Sequence, residues 1–283
     1  MPHIALSLAV AAVIGVAGAA EVLILEDTFD GTAINISLWK HELTLAGGGN
    51  WEFELYTNNR SVSYVKDGAL IISPKLTNVT IGGDSALSSV DLNIWGGDPA
   101  TACTDPGFYG CERQGSAANM LPPIRSARLR TAESFAFRYG RVEVVAKLPV
   151  GDWLWPAVWL MPSGGAYGQW PASGEIDILE SRGNGAGYTA AGGCDTAAST
   201  FHWVSRHLWS HKRTGSCINA ARRAVSRSLH GRKTRLSTTL TGTDCCCHAH
   251  YGQLRLHPRR GRTGRRTDTL RPMLSTAHRR KTD

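Results

Sequence analysis

The sequence predicts an all-β fold in which two antiparallel sheets pack face to face as a β-sandwich or jelly roll. Short strand-like runs, such as Ala69 to Ser73 and Gly140 to Leu148, alternate with turns rich in Gly, Pro, Asn and Asp. No long helical period interrupts these runs. Eight of the nine tryptophans precede Val204, which favours two packed sheets whose alternate side chains face a core or a groove.

The first twenty residues have the character of a secretory signal peptide. An apolar run extends from Ile4 to Val16, and the small residues Ala17 to Ala20 that follow it suit a cleavage site. The run has no basic n-region and is shorter than the ~20 residues of a membrane span, so a short membrane anchor or a buried apolar segment is the alternative. We expect residues 1–20 to be removed and the mature protein to be extracellular and not held in a membrane.

Two further features are typical of secreted proteins. Glycosylation sequons begin at Asn35, Asn59 and Asn78, and each can carry a glycan if it lies on a surface loop. Cys103 and Cys111 lie close together in a loop-like segment and are candidates for a disulfide.

The net charge of +8 is an average over two regions of opposite sign. Of the 31 basic and 23 acidic residues of the chain, residues 204–283 contain 19 basic and 3 acidic ones, which leaves 12 and 20 for residues 1–203. The front of the chain therefore carries −8 and the tail +16. Beyond Trp203 the sequence shows no strand pattern.

Three interpretations of this tail are open. It can be a basic arm that binds nucleic acid or an anionic glycan, or a disordered, solvated segment, which its low hydrophobicity and high charge favour. A frameshift or a mis-spliced exon would also replace strand-forming sequence by such a composition, and we favour this explanation. The triplet Cys245-Cys246-Cys247 lacks the usual spacing of a zinc site, so no metal is predicted.

The segment from Gly174 to Glu180 carries three acids among aliphatic residues, which is a strand-like context. Side chains alternate along a strand, so Glu175 and Asp177 share one face and Glu180 would point to the other. One extra residue absorbed as a β-bulge would return Glu180 to the first face. In a helix, positions five apart diverge by ~140° and share no site.

Two carboxyl groups on one groove-facing strand suit the cleavage of glycosidic bonds. A retaining enzyme holds them about 5 to 5.5 Å apart, one attacking the anomeric carbon and the other protonating the leaving oxygen. Crowding raises at least one pKa, so that one glutamate can stay protonated near neutral pH. The alternative is the solvated face of an ordinary amphipathic strand, but the neighbouring tryptophans, each also a core candidate, together favour a sugar-binding groove.

The chain resembles glycoside hydrolase family 16 over most of its first 203 residues. The resemblance rests on five motifs: Ser126 to Leu129, Tyr139 to Glu143, Ala146 to Pro149, Leu154 to Pro162 and Gly174 to Glu180. The E-x-D-x-x-E form of the last motif, with Leu179 as its bulge residue, is similar to the laminarinase branch rather than to the lichenases. The family's jelly roll continues for roughly a hundred residues after this strand, so the resemblance implies an incomplete sandwich with a signal peptide at 1–20, a domain at 21–203 and a tail at 204–283.

The resemblance also implies a partner and a set of site residues. The partner is a β-1,3-glucan, and Glu175 is the nucleophile, Glu180 the general acid/base and Asp177 the acid between them. The implied groove residues are Asn50, Arg128, Trp155, Trp159, Trp170 and His202. No cofactor is implied, and the resemblance does not decide whether a structural calcium binds or which oligomer forms.

The favoured interpretation is a secreted endo-β-1,3-glucanase. Its first rival is a non-catalytic glucan receptor, since the segment Asp105 to Arg113 resembles animal β-1,3-glucan-binding proteins, in which the catalytic glutamates are often replaced. Glu175 and Glu180 are both present here, which favours the enzyme. A second rival, a nucleic-acid binder acting through the basic tail, is disfavoured, and we expect no nucleic-acid partner.

Overall fold

The computed structural model describes residues 22–49, 51–95, 103–190 and 192–204, and the backbone of five strands further along the chain. Helical elements are short: the α-helix α1 (Asn78–Ile81) and three 3-10 segments, Gly47–Gly49, Asp84–Ser88 and Gly107–Tyr109. No helix among the described residues has the length and apolar character needed to cross a membrane. The expected signal segment, residues 1–20, lies outside the described residues.

Strands dominate the described structure, and those of the front region include both of the predicted runs. In chain order they are β1 (Leu25–Glu26), β2 (Lys40–His41), β3 (Glu54–Tyr56), β4 (Ser63–Val65), β5 (Leu70–Ile72), β6 (Lys75–Leu76), β7 (Asp91–Asn93), β8 (Glu112–Gln114), β9 (Ile124–Ser126), β10 (Arg128–Arg130), β11 (Gly140–Ala146), β12 (Leu154–Pro162), β13 (Glu175–Ser181) and β14 (Ala197–Val204). The later strands are β15 (Thr214–Cys217), β16 (Thr234–Leu240), β17 (Ala249–His250), β18 (Arg255–Pro258) and β19 (Leu270–His278).

Two antiparallel sheets form the body of the fold. The larger has seven strands in the order β15-β14-β13-β12-β19-β10-β2, and the smaller has five in the order β1-β18-β11-β16-β17. Three small sheets flank them: β3-β9-β6, in which β3 and β9 run parallel, and the pairs β4-β5 and β7-β8. In the seven-stranded sheet, β13 carries the acids and lies between β12, which carries Trp155 and Trp159, and β14, which carries Trp203.

The two large sheets pack through their inner faces. One core cluster joins valines of β11 to aliphatic residues of β12 and β13: Val142, Val144, Val158, Leu160, Ile178 and Leu179. Each such side chain contributes roughly 1.5 to 3 kcal/mol when it leaves water. Alternate residues of β12, namely Pro156, Val158 and Leu160, are buried, and the side chains between them stay partly exposed on the opposite face. The predicted all-β sandwich is confirmed, and the outer face of its larger sheet is available for a groove.

A second cluster supports the other end of the seven-stranded sheet. Trp39 and Leu129 are fully buried in it, together with Val62 and Ala127. The indole Nε1 of Trp39 donates a hydrogen bond to Asp27 Oδ2 at 2.8 Å, so the buried ring leaves no polar atom unpaired. Because Leu129 points inward, the residues on either side of it in β10 face the outer side of the sheet.

The tail departs from the sequence-based expectation that it forms no strands. The backbone of β16 pairs with β11 over all seven residues of each strand, and β19 lies between β12 and β10. Pairing needs only backbone N–H and C=O groups, which the edges of β10, β11 and β12 would otherwise leave unpaired. A search for alternating side chains does not detect such strands. The origin of the tail by a frameshift stays a prediction.

Candidate active site

A β-bulge in β13 places the three acids on one face of the sheet. Asp177 pairs with Thr200 and Glu180 with Ala198, so two residues of β13 stand opposite a single residue of β14. These two residues, Ile178 and Leu179, both point into the core and are only 6% and 2% exposed. Glu180 consequently returns to the side of Glu175 and Asp177, and the predicted bulge is confirmed.

Two tryptophans orient the two glutamates. The indole Nε1 of Trp170 donates a hydrogen bond to Glu175 Oε2 at 2.5 Å, and that of Trp155 donates to Glu180 Oε1 at 2.8 Å. Trp155 lies on β12 beside the acids, whereas Trp170 lies on the loop between β12 and β13. Each hydrogen bond restricts the rotamer of the carboxyl group that accepts it.

Asp177 lies between the two glutamates and is almost fully buried. Burial, and after it the charges of Glu180 and Glu175 and a hydrogen bond with Glu175, together raise the pKa of its carboxyl to about 9. The sequence-based expectation put a raised pKa on a glutamate; the structure puts it on Asp177, because the middle acid is the one enclosed by the neighbouring strands. At neutral pH this carboxyl is protonated.

His202 approaches the middle acid from β14. Its Nε2 atom lies 3.2 Å from Asp177 Oδ2, although the pair lacks hydrogen-bond geometry. The imidazole also packs against the Trp170 ring, with ring centroids 5.5 Å apart. Glu175, Asp177 and His202 each offer one ligand atom, and these atoms lie within 4.8 Å of one another, so the three side chains could also hold a divalent cation.

Arg128 occupies the other side of the candidate groove. Its guanidinium carbon lies 4.3 Å from the centroid of the Tyr56 ring and 5.2 Å from that of Trp159. Its Nη2 donates to the Tyr56 hydroxyl at 2.9 Å, and its Nη1 pairs with Glu42 at 3.2 Å. Gly48, with a positive φ of 62°, lies so close that a Cβ there would collide with the side chains of Arg128 and Glu52. Arg128 is therefore fixed in place beside Trp159.

The structure thus brings most of the predicted groove residues to the outer face of the seven-stranded sheet: Arg128, Trp155, Trp159, Trp170 and His202. Asn50 lies outside the described residues. Sequence reasoning missed Tyr56 and Glu42 as partners of Arg128. Tyr56 lies in the run Tyr56 to Asn58, but no spacing rule connects it to an arginine 72 positions away.

The remaining predicted positions lie away from the acids. Cys103 and Cys111 form the predicted disulfide, with an S–S distance of 2.01 Å and Cα atoms 5.6 Å apart. Among the sequon asparagines, Asn35 is exposed, and Asn59 and Asn78 are partly exposed. Their glycosylation stays a prediction.

Comparisons with known proteins identify relatives of this chain. Residues 115–235 match the model of a protein family described as the XgeA-like catalytic domain of glycoside hydrolase family 16. Over 182 residues the chain is 52% identical to a β-1,3-glucan-binding protein of Penaeus monodon, covering 64% of this chain and 48% of the relative. Over 169 residues it is 34% identical to glucan endo-1,3-β-glucosidase A1 of Niallia circulans, covering 57% of this chain and 20% of the relative. The chain thus spans less than half of the length of these relatives.

The fold has counterparts among solved structures. The laminarinase of Rhodothermus marinus superposes with a TM-score of 0.57, covering 92% of this chain and 86% of that chain at 21% identity. At this identity the likeness shows the fold alone. The family match and the two relatives confirm the resemblance to glycoside hydrolase family 16.

Proposed function

We propose that this relative of the family 16 glycoside hydrolases is a secreted enzyme that cleaves β-1,3-glucosidic bonds within glucans, with retention of configuration. One observation carries the proposal: the bulge in β13 brings Glu175, Asp177 and Glu180 to one face, where a tryptophan donates a hydrogen bond to each glutamate. An ordinary solvated strand would need neither the bulge nor the two indole donors.

In the first step of this mechanism Glu175 attacks the anomeric carbon while Glu180 gives its proton to the leaving oxygen. The glycosidic bond breaks, and the sugar stays attached to Glu175 as an ester. In the second step Glu180 takes a proton from water, the water oxygen attacks the anomeric carbon, and the bond to Glu175 breaks. Two inversions give net retention.

Asp177 supports both steps without adding a charge between the glutamates. With a pKa of about 9 it is neutral at pH 7, so its carboxyl O–H donates the hydrogen bond to Glu175. This bond stabilises the Glu175 carboxylate before attack and again when it leaves the sugar in the second step. An ionised acid at this position would instead repel the negative charge of the Glu175 carboxylate.

The proposed substrate class follows from the relatives. The two named above are a β-1,3-glucan-binding protein and a glucan endo-1,3-β-glucosidase. The groove supports a neutral sugar polymer, because Trp155, Trp159 and Trp170 present partly exposed or exposed rings beside the acids.

The test is the release of reducing ends from laminarin by the full chain and by its Glu175→Gln variant. Wild type should release them, with the β-anomer appearing first by proton NMR, and the variant should lose activity by a factor of roughly 10⁴ or more, as removal of a nucleophile does. Glu133→Gln makes the same chemical change at an exposed position outside the site and is the control. Equal activity in wild type and Glu175→Gln would reject the assigned nucleophile.

A second candidate function is binding of β-1,3-glucan without cleavage. It is favoured by the 52% identity to a protein named for glucan binding. Laminarin that is retained by the wild-type chain but releases no reducing ends over a range of pH would select this alternative.

A further inference from the structure

An exposed aromatic surface lies beyond Arg128, at the side of the groove away from the acids. We call it the aromatic platform and define it as Trp51, Phe108 and Tyr109, which are 37%, 55% and 64% exposed. The rings of Trp51 and Phe108 meet edge to face, with centroids 5.9 Å apart. Large rings that remain in water on a folded domain are typical of a binding surface when they occur together.

The loop that carries Phe108 and Tyr109 is held in place by several contacts. The Cys103–Cys111 disulfide closes this loop, and the backbone N–H of Leu45 donates to Gly110 O at 2.7 Å. A Cβ at Gly110 would collide with Thr44 and with the backbone of Asp105, so the loop approaches its neighbour as closely as glycine permits. The rings of Phe108 and Tyr109 are therefore presented by a fixed backbone.

The buried side chain of Arg113 contacts both Trp51 and Phe108. Its guanidinium carbon lies 4.8 Å from the centroid of the Trp51 ring, and its Nη2 donates to the backbone oxygen of Phe108 at 3.1 Å. The side chain is only 4% exposed and so does not offer a charge to an approaching ligand. The three rings of the platform are themselves uncharged.

Backbone conformation adds an independent observation. Trp51, Phe108 and Tyr109 all have a positive φ, between 51° and 58°, which bulky residues with a Cβ rarely adopt. Such conformations persist where the surrounding structure enforces them, and they concentrate at functional sites. In this case the unfavourable backbone serves to expose three rings rather than to bury them.

The platform is continuous with the candidate groove. The Thr44 hydroxyl donates a hydrogen bond to Asp105 O at 3.0 Å, and the backbone of Thr44 forms an antiparallel β-bridge with Tyr56. The Tyr56 hydroxyl accepts a hydrogen bond from Arg128. Arg128 in turn lies against Trp159. The segment that follows β2 supports the platform, and β2 is four strands from β13 in the sheet order, a distance of about 19 Å at the usual strand spacing.

We propose that the aromatic platform is a distal subsite that stacks glucose rings of a long β-1,3-glucan chain whose cleavage point lies at Glu175. The inference rests on the proposed binding of glucan in the groove. The apolar faces of the sugar rings cover the exposed aromatic faces, and the absence of an exposed charge on the three rings matches a neutral polymer rather than a polyanion. At this distance the subsite contacts long chains and not short oligosaccharides.

The test measures binding without cleavage, in the full chain carrying Glu175→Gln. Isothermal titration with laminarin and with laminaritriose compares this protein with versions that also carry Tyr109→Ala, or Phe108→Ala and Tyr109→Ala together. We expect the double change to weaken laminarin binding roughly tenfold, which corresponds to about 1.4 kcal/mol, and the triose affinity to stay the same. Tyr109→Phe keeps the ring and should retain laminarin binding, and Val79→Ala is the control for an exposed apolar residue outside the platform.

Unchanged laminarin binding in both alanine variants, or an equal loss for laminarin and the triose, would overturn the subsite. Competition by dextran sulfate that disappears with added salt would overturn the neutral-polymer assignment. Hydrolysis by wild type is scored separately. If binding depends on the platform but the wild type does not hydrolyse laminarin, the subsite stands and the proposed enzymatic function fails. If the wild type hydrolyses laminarin but binding does not depend on the platform, the enzymatic function stands and the subsite fails.

Discussion

Replacement of Asp177 by Asn should stabilise the fold at neutral pH while it slows the chemistry. Asp177 has a pKa of 3.8 in the unfolded chain and about 9 in the folded one. Between these values the folded state binds a proton that the unfolded state has lost, so the free energy of unfolding decreases as pH rises. The contribution of this residue is therefore most favourable below pH 4 and is lost as pH approaches 9.

The magnitude follows from the pKa difference. Each pH unit between the two values costs about 1.4 kcal/mol, and pH 7 lies about three units above the unfolded value, so the cost at pH 7 is about 4 kcal/mol. The Asp177 side chain is only 4% exposed, so solvent does little to reduce this cost. Asn cannot ionise, and its amide can donate to Glu175 as the protonated carboxyl does. The variant should therefore avoid this cost.

The assay is urea unfolding followed by circular dichroism at pH 5 and pH 8. Between pH 5 and pH 8 the free energy of unfolding of the wild type should decrease by about 4 kcal/mol relative to that of Asp177→Asn. Asp91→Asn, the same change at an exposed position on β7, is the control and should follow the wild-type pH dependence. Activity on laminarin should fall in Asp177→Asn, because the amide N–H, unlike the carboxyl O–H, cannot shift its proton as the charge on Glu175 changes during the reaction. Parallel pH profiles for wild type and Asp177→Asn would refute the reasoning.

Three further predictions concern the supports of the site. Trp170→Phe removes the 2.5 Å hydrogen bond to Glu175 but keeps a ring, so kcat on laminarin should fall roughly tenfold with a smaller change in KM; an unchanged kcat would contradict the orienting role. Joint Cys103→Ser and Cys111→Ser should lower the free energy of unfolding by about 2.5 kcal/mol, measured in urea against the oxidised parent. Leu179→Ala should cost about 3 kcal/mol in the same measurement, because the side chain is 2% exposed, and the surviving folded protein should keep its activity.

Alternation along strands made the front of the fold predictable. The runs around Leu70–Ile72 and Gly140–Ala146 have the composition of half-buried strands, and the structure contains both. The tail was not predictable in the same way, because β16 and β19 join the sheets through backbone pairing with strands that precede them by many residues. Side-chain periodicity carries no information about such a partner.

The site was predictable in its chemistry and not in its electrostatics. The spacing of Glu175, Asp177 and Glu180 requires a bulge if all three are to act together, and this requirement is local. The position of the raised pKa depends on which acid the neighbouring strands enclose, which is a tertiary property. The same is true of Arg128, whose partners Tyr56 and Glu42 lie 72 and 86 positions away in the chain.

The bulge does more than align the acids. A strand one residue shorter, without Leu179, would also place the second glutamate on the same face, because positions four apart share a face. The added residue instead gives β13 two consecutive inward side chains, Ile178 and Leu179, in the core between the sheets. The apolar contacts of these two side chains in the core thus hold β13 in place, although the acids on its outer face lie close together. Substitutions at Leu179 should accordingly reduce stability before they affect catalysis, whereas substitutions at Glu175 should do the opposite.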